Sequence, residues 1–166
     1  MAARKEEKKY PAAGVICFKR TSSVSNEGND NSQNNLFGIS HVLLVKTIEG
    51  HYGFPKGRRE TYDKSMFDNA IRELKEETGL TADDFDFLPL QEDIIELSLK
   101  GNPSVFYHMA ILKDSSATKP VKLMEPEEHS EVAWTEISQA KKLLFSLAKK
   151  RHLLLESALK QLAIKK

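Results

Sequence analysis

Between residues 72 and 80 the chain reads Arg-Glu-Leu-Lys-Glu-Glu-Thr-Gly-Leu, a run that leaves few choices of structure or chemistry. Glu73, Glu76 and Glu77 fall at i, i+3 and i+4, so on a helix their Cβ atoms are neighbours about 5–6 Å apart. At about 100° per residue the three acids share one arc, and the pattern predicts an apolar stripe of Phe67, Ile71 and Leu74 directly beside it. Like charges at this spacing weaken a helix by about a few tenths of a kcal/mol per pair, so stability does not account for them. A hard divalent cation does, since Mg²⁺ is held by carboxylates together with waters and phosphate oxygens. The competing reading is a solvated acidic face with Arg72 and Lys75 as surface partners.

The residues on either side favour the cation. Gly-Phe-Pro-Lys-Gly at 53–57 leads into a polar loop, Ser65-x-x-Asp68 fits a helix-starting cap, and Gly79 fits a helix stop. Taken together, Gly57 to Leu80 resembles the Nudix box, G-x5-E-x7-R-E-U-x-E-E-x-G-U with U a bulky apolar residue. Arg72, Glu73, Leu74, Glu76, Glu77, Gly79 and Leu80 match its second half at every defined position. The first half departs by one inserted residue. Counting back from Arg72 places Lys64 where the family has its first glutamate, and counting forward from Gly57 places Asp63 there, with Glu60 as another nearby acid.

The resemblance implies an α/β/α sandwich with a mixed sheet and Mg²⁺- or Mn²⁺-dependent hydrolysis of a nucleoside diphosphate linked to another group. It implies metal ligation by the Gly57 carbonyl with Glu73, Glu76 and Glu77, and a supporting role for Arg72 and Asp63. Lys56 supplies a point charge suited to phosphate. Within Glu125-Pro-Glu-Glu-His-Ser-Glu-Val-Ala-Trp134, the pair Glu128-His129 resembles one at the same offset in asymmetric diadenosine tetraphosphate hydrolases. That likeness makes Glu128 the candidate for a further metal ligand or water-activating base, and His129 a candidate substrate contact. Those enzymes also carry a tyrosine in the strand that holds Tyr107, a side chain able to stack a nucleobase or to pack in a core. Gly-Phe-Pro-Lys-Gly looks equally like messenger-RNA decapping Nudix enzymes. An RNA cap or diphosphoinositol polyphosphate is therefore the alternative substrate, and a Nudix module that binds without hydrolysing is a third reading.

The remainder of the chain fits one domain over residues 1–166, with a core of ordinary size and no comfortable room for two. Pro11–Phe18 and Ile39–Lys46 read as buried strands, separated by a Ser/Asn-rich stretch at 21–35 that reads as a flexible loop. Phe85–Leu99 and Pro103–Leu112 read as strands around the turn Lys100-Gly101-Asn102, with Val105, Tyr107, Met109 and Ile111 on one face of the second. From Glu136 onward the spacing of Ile137, Ala140, Leu144, Leu147, Leu154 and Ala158 is helical.

Residues 141–166 hold eight Lys or Arg against the single acid Glu156, either a solvated face or a dock for RNA or a polyanionic substrate. The net charge of +1 argues against a chain that coats nucleic acid throughout. The lone Cys17 excludes an internal disulfide and a four-cysteine zinc site. Residues 1–9 are charged and lack the apolar centre of a secretory signal, and no run reaches a membrane span of about 20 apolar residues. The expectation is an intracellular protein of the cytoplasm or nucleus with no membrane partner.

Overall fold

The computed structural model describes residues 10–21 and 38–164. The loop expected at 21–35 therefore lies, apart from Thr21, outside the described residues. A mixed sheet is built on β1 (Ala12–Arg20), which runs parallel to β7 (Pro103–Leu112) with Gly14 opposite Tyr107. Along its other edge β1 has two antiparallel partners. Its first residues pair with β4 (Lys56–Arg58) and its last with β2 (Ile39–Thr47), so this edge splays between them. β2 carries the short β3 (Tyr52–Gly53) and β8 (His129–Glu136), while β5 (Phe85–Leu88) and β6 (Ile94–Leu97) share the outer edge of β7.

Strand alternation distributes the apolar side chains to two cores. Ala13, Val15 and Cys17 of β1 meet Ala70 and Leu74 of α1 (Met66–Thr78) on one face. Ile16 and Phe18, with Tyr107 and Met109 of β7, meet α2 (Ile137–Leu143) and α3 (Arg151–Ile164) on the other. This is the α/β/α sandwich with a mixed sheet that the sequence predicts.

Helix α1 begins and ends where expected. The Ser65 hydroxyl accepts the Asp68 N–H at 3.0 Å, and Gly79, at φ 77°, adopts the left-handed conformation that closes the helix. The buried stripe, however, is rotated from the predicted one. Met66, Ala70, Leu74 and Glu77 face the sheet, while Phe67 and Ile71 are only half-buried. Phe67 instead lies edge-on to Phe87 at its flank.

The long strand predicted over 85–99 is two strands. Pro89, which has no N–H to give to a ladder, opens the break, and Gln161 of α3 fills it. The Gln161 side chain accepts the Gln91 N–H at 2.9 Å and donates to the Glu92 carbonyl at 2.8 Å. The C-terminal region is likewise two helices, and Leu147 in the link between them is exposed rather than part of the core.

Arg151, counted by sequence among the basic residues of a polyanion dock, is 5% exposed. Its Nε donates to Glu96 Oε1 at 2.6 Å and its Nη1 to the Tyr52 carbonyl at 2.9 Å, and the Tyr107 hydroxyl lies 3.4 Å from the same Glu96 oxygen. One buried ion pair thus ties α3 to β3, β6 and β7. Glu96→Leu should cost about 3–5 kcal/mol in urea unfolding, because it strands a buried guanidinium, and adding Arg151→Met should recover most of that loss. A single-variant cost below about 1 kcal/mol would mean that the pair does not hold α3.

Candidate active site

Helix pitch decides which acid is buried. Glu77 stands one turn beyond Leu74 on the face turned to the sheet and is 5% exposed, whereas Glu76 points to solvent. The Lys56 N–H donates to Glu77 Oε2 at 3.2 Å, and no arginine reaches this carboxylate among the described residues. Burial, then the charges of Glu73 and Glu125, push its pKa up to about 9.

Opposite Glu77, the residues 125–129 form a tight turn in which the His129 N–H donates to the Glu125 carbonyl at 2.9 Å. The turn brings Glu125 back beside His129. Glu77, Glu125 and His129 each offer a ligand atom, and these lie within 4.8 Å of one another. His129 Nε2 is 3.9 Å from Glu77 Oε1, its buried Nδ1 has no hydrogen-bond partner, and burial lowers its pKa, so the ring is held neutral. Glu125 is half-buried and its pKa is raised by burial, then by Glu128 and Glu76. A buried acid with no counter-charge, a second acid and a neutral imidazole with an open nitrogen together fit a divalent cation.

Glu128, the sequence candidate for ligand or base, is exposed and not one of these three residues, though its charge acts on both Glu125 and His129; the turn brings Glu125 beside His129. Glu73 and Glu76 lie alongside, held by a different partner. Arg72 Nη1 donates to Glu73 at 2.9 Å and to Glu76 at 3.2 Å, while its Nε and Nη2 grip both oxygens of Asp63 at 2.9 and 2.8 Å. Asp63 is buried and also accepts the Glu60 N–H at 2.8 Å, whereas Glu60 and Lys64 are exposed. Of the three residues that counting offers, Asp63 alone is buried and gripped by Arg72.

Gly57 lies directly over Glu73, so close that a Cβ there would collide with the carboxylate. Its carbonyl accepts from Asn69 Nδ2 at 3.1 Å and is therefore turned toward the helix flank. Tyr107 departs from the stacking role offered by sequence. It is completely buried, its ring edge-on to Phe54 and its hydroxyl on Glu96, so it presents no face to a nucleobase.

A cavity of about 230 Å³ opens beside Glu77 and His129, lined also by Lys56, Lys149, Arg151 and His51. Lys56 is half-buried and its pKa is lowered, chiefly by burial and against the pull of Glu96. The lining thus mixes the acids Glu77 and Glu49 with the cations Lys56, Lys149 and Arg151, a composition that suits a metal-complexed phosphate chain. Sequence reasoning missed Glu125 and the wall position of Arg151; Glu125 opens the same acidic segment, but only the turn shows which acid returns.

A profile of the NUDIX domain matches residues 31–156. The chain belongs to the Nudix family. Among curated proteins, the 111R protein of Invertebrate iridescent virus 3 is 54% identical over 41 residues, 25% of this chain and about a quarter, 24%, of that protein's own length. Among solved structures, a Caenorhabditis elegans Ap4A hydrolase complex aligns over 88% of this chain and 92% of its own with a TM-score of 0.63 at 24% identity. The NUDIX domain of Shewanella oneidensis NrtR, solved with ADP ribose, aligns over 94% and 90% with a TM-score of 0.61 at 17% identity. At these identities the likeness is one of Nudix fold. No helix among the described residues is long and apolar enough to cross a membrane.

The sign of the Glu77 shift sets a pH test. A carboxyl that titrates near 4.5 when unfolded and near 9 when folded stabilises the fold while protonated, so metal-free protein loses stability as pH rises through that window. Thermal melts in chelator should therefore fall from about pH 5 to about pH 9, and Glu77→Gln should flatten that slope. Adding Mg²⁺ or Mn²⁺ at about pH 8 should raise the parent's Tm and leave that of the variant nearly unchanged. Equal metal responses in the two proteins would separate Glu77 from the cation.

Proposed function

We propose that this Nudix chain hydrolyses a phosphoanhydride bond in a nucleoside diphosphate linked to a further group, with dinucleoside polyphosphates such as diadenosine tetraphosphate as its substrate class. The observation that carries this reading is the buried Glu77 clustered with Glu125 and His129 beside a cavity that Lys56, Lys149 and Arg151 also line. The fold shared with the Ap4A hydrolase supports the choice of substrate class.

In this reading the carboxylates of Glu77 and Glu125 hold Mg²⁺ or Mn²⁺, hard ions that prefer oxygen donors. A cation held there would supply neutralisation of the anhydride oxygens, polarisation of phosphorus and a more acidic water. Lys56 and Arg151 draw the phosphate chain into the cavity. His129, kept neutral by burial, accepts the proton of the attacking water as its oxygen bonds to phosphorus and the anhydride P–O bond breaks. Glu73 and Glu76 complete the negative wall, and the Asp63–Arg72 clamp fixes both. The intact Asp63 clamp speaks for hydrolysis over silent binding. An RNA dock along 141–166 is weakened because Arg151, one of its eight cations, is committed to Glu96.

The reading is tested by steady-state hydrolysis of diadenosine tetraphosphate, ADP-ribose and capped RNA with Mg²⁺. Glu77→Gln should lower kcat by about three orders of magnitude or more with the fold retained. Asp63→Asn should slow turnover by about 10–100-fold and Glu60→Gln hardly at all, since only Asp63 orients the acids. Full activity of Glu77→Gln, or faster turnover of capped RNA than of the dinucleotide, would defeat the assignment.

A further inference from the structure

We infer that Lys149, at the end of the link between α2 and α3, receives the phosphates of a polyphosphate chain that extend beyond the carboxylate site, and thereby sets the chain length this protein prefers. The inference builds on the phosphoanhydride reading above and assigns a task to a residue that reading leaves unused.

The cavity beside Glu77 does not end at its cations. A second cavity of about 260 Å³ adjoins it, lined by Tyr52, Phe145 and Ser146, and the two share His51, Lys149 and Arg151. Together they form one cleft leading away from the acids, with Lys149 where its two parts meet. The next residue, Lys150, lines neither part; it borders only an open apolar groove beside Leu97, Leu99 and Leu153, which Lys149 also touches. Of two adjacent lysines of equal charge, one alone thus reaches the cleft.

The placement of Lys149 is fixed by the backbone. Its N–H donates to the Ser146 hydroxyl at 3.3 Å, the Lys150 N–H donates to the Ser146 carbonyl at 2.9 Å, and Lys150 itself sits at φ 52°. A lysine in the left-handed region is uncommon and strained, and is kept only where its surroundings fix it. Here the following residue, Arg151, is locked to Glu96 and to the Tyr52 carbonyl.

The cations of the cleft differ in how far protein groups already occupy them. Arg151 spends three of its five N–H donors on protein acceptors, leaving two for a ligand. Among the described residues no carboxylate pairs with the Lys149 ammonium, which is close enough to Lys56 to be one of the charges lowering its pKa. A two-phosphate group at the acids is met by Lys56 and Arg151. A third and fourth phosphate lie further along the cleft, where the unpaired Lys149 waits for an anion.

The test is calorimetric binding of inorganic pyrophosphate and tripolyphosphate to the full chain with Mg²⁺ present. Lys149→Gln should weaken tripolyphosphate by about tenfold and pyrophosphate by less than about twofold, and Lys149→Arg should restore the longer anion. Lys150→Gln, with the same change in net charge, should leave both affinities within about twofold of the parent. Equal weakening of both anions by Lys149→Gln, equal losses from Lys150→Gln, or no binding of either anion by the parent would overturn the inference. Selective loss of the longer anion in a parent that hydrolyses no anhydride would leave the inference standing and remove the reading of the reaction.

Discussion

A carboxylate placed on the core-facing side of a helix, with no cation of the protein to neutralise it, is the constraint from which the site follows. No lysine or arginine side chain forms an ion pair with Glu77 among the described residues: Arg72 holds Asp63, Glu73 and Glu76, and Lys56 hydrogen-bonds Glu77 through its backbone N–H while its ammonium exerts only a minor pull. Burial above all holds Glu77 protonated far above the usual carboxylate range, which no ordinary surface acid would tolerate. The fold bears that cost at a single place, the splayed edge of β1, where β4 carries Lys56 and Gly57 over the acidic helix. A chain selected for stability alone would fill this position with a leucine.

The cavity lining also depends on a second buried charge, and this one is compensated. Arg151 and Glu96 neutralise each other, with Tyr107 on the same carboxylate oxygen, and the pair joins three strands to the last helix. Two arrangements of buried charge therefore flank the cavity. The satisfied pair holds Arg151 in place, and the acid without an ion pair suits a metal. Arg151 both braces α3 and lines the cavity, so under the proposed function folding and substrate binding would share a residue.

The local signals were legible in the sequence: the Ser65 cap, the Gly79 stop, the strand alternation in β7 and the spacing of the box. The errors share a cause, which is contact between distant segments. Alternation places Tyr107 on the correct face with Val105 and Met109, but only the packing of α3 closes that face. Offsets from Trp134 point to Glu128, whereas the turn at 125–129 reverses the chain and returns Glu125 instead. Arg151 sits in a basic run that reads as solvent-facing, because its partner Glu96 is 55 residues away. The insertion leaves Asp63, Glu60 and Lys64 all open by counting, and only the folded chain shows that Arg72 grips Asp63.

Anomalous diffraction from crystals grown with Mn²⁺ examines the central claim most directly, since it locates the cation without relying on turnover. The expected result is a peak bonded to carboxylate oxygens of Glu77 and Glu125, next to His129, with the Asp63–Arg72 clamp unchanged. A well-ordered peak at Glu76 or Glu128 with Glu77 still unliganded, or no peak at this cluster at saturating Mn²⁺, would contradict it.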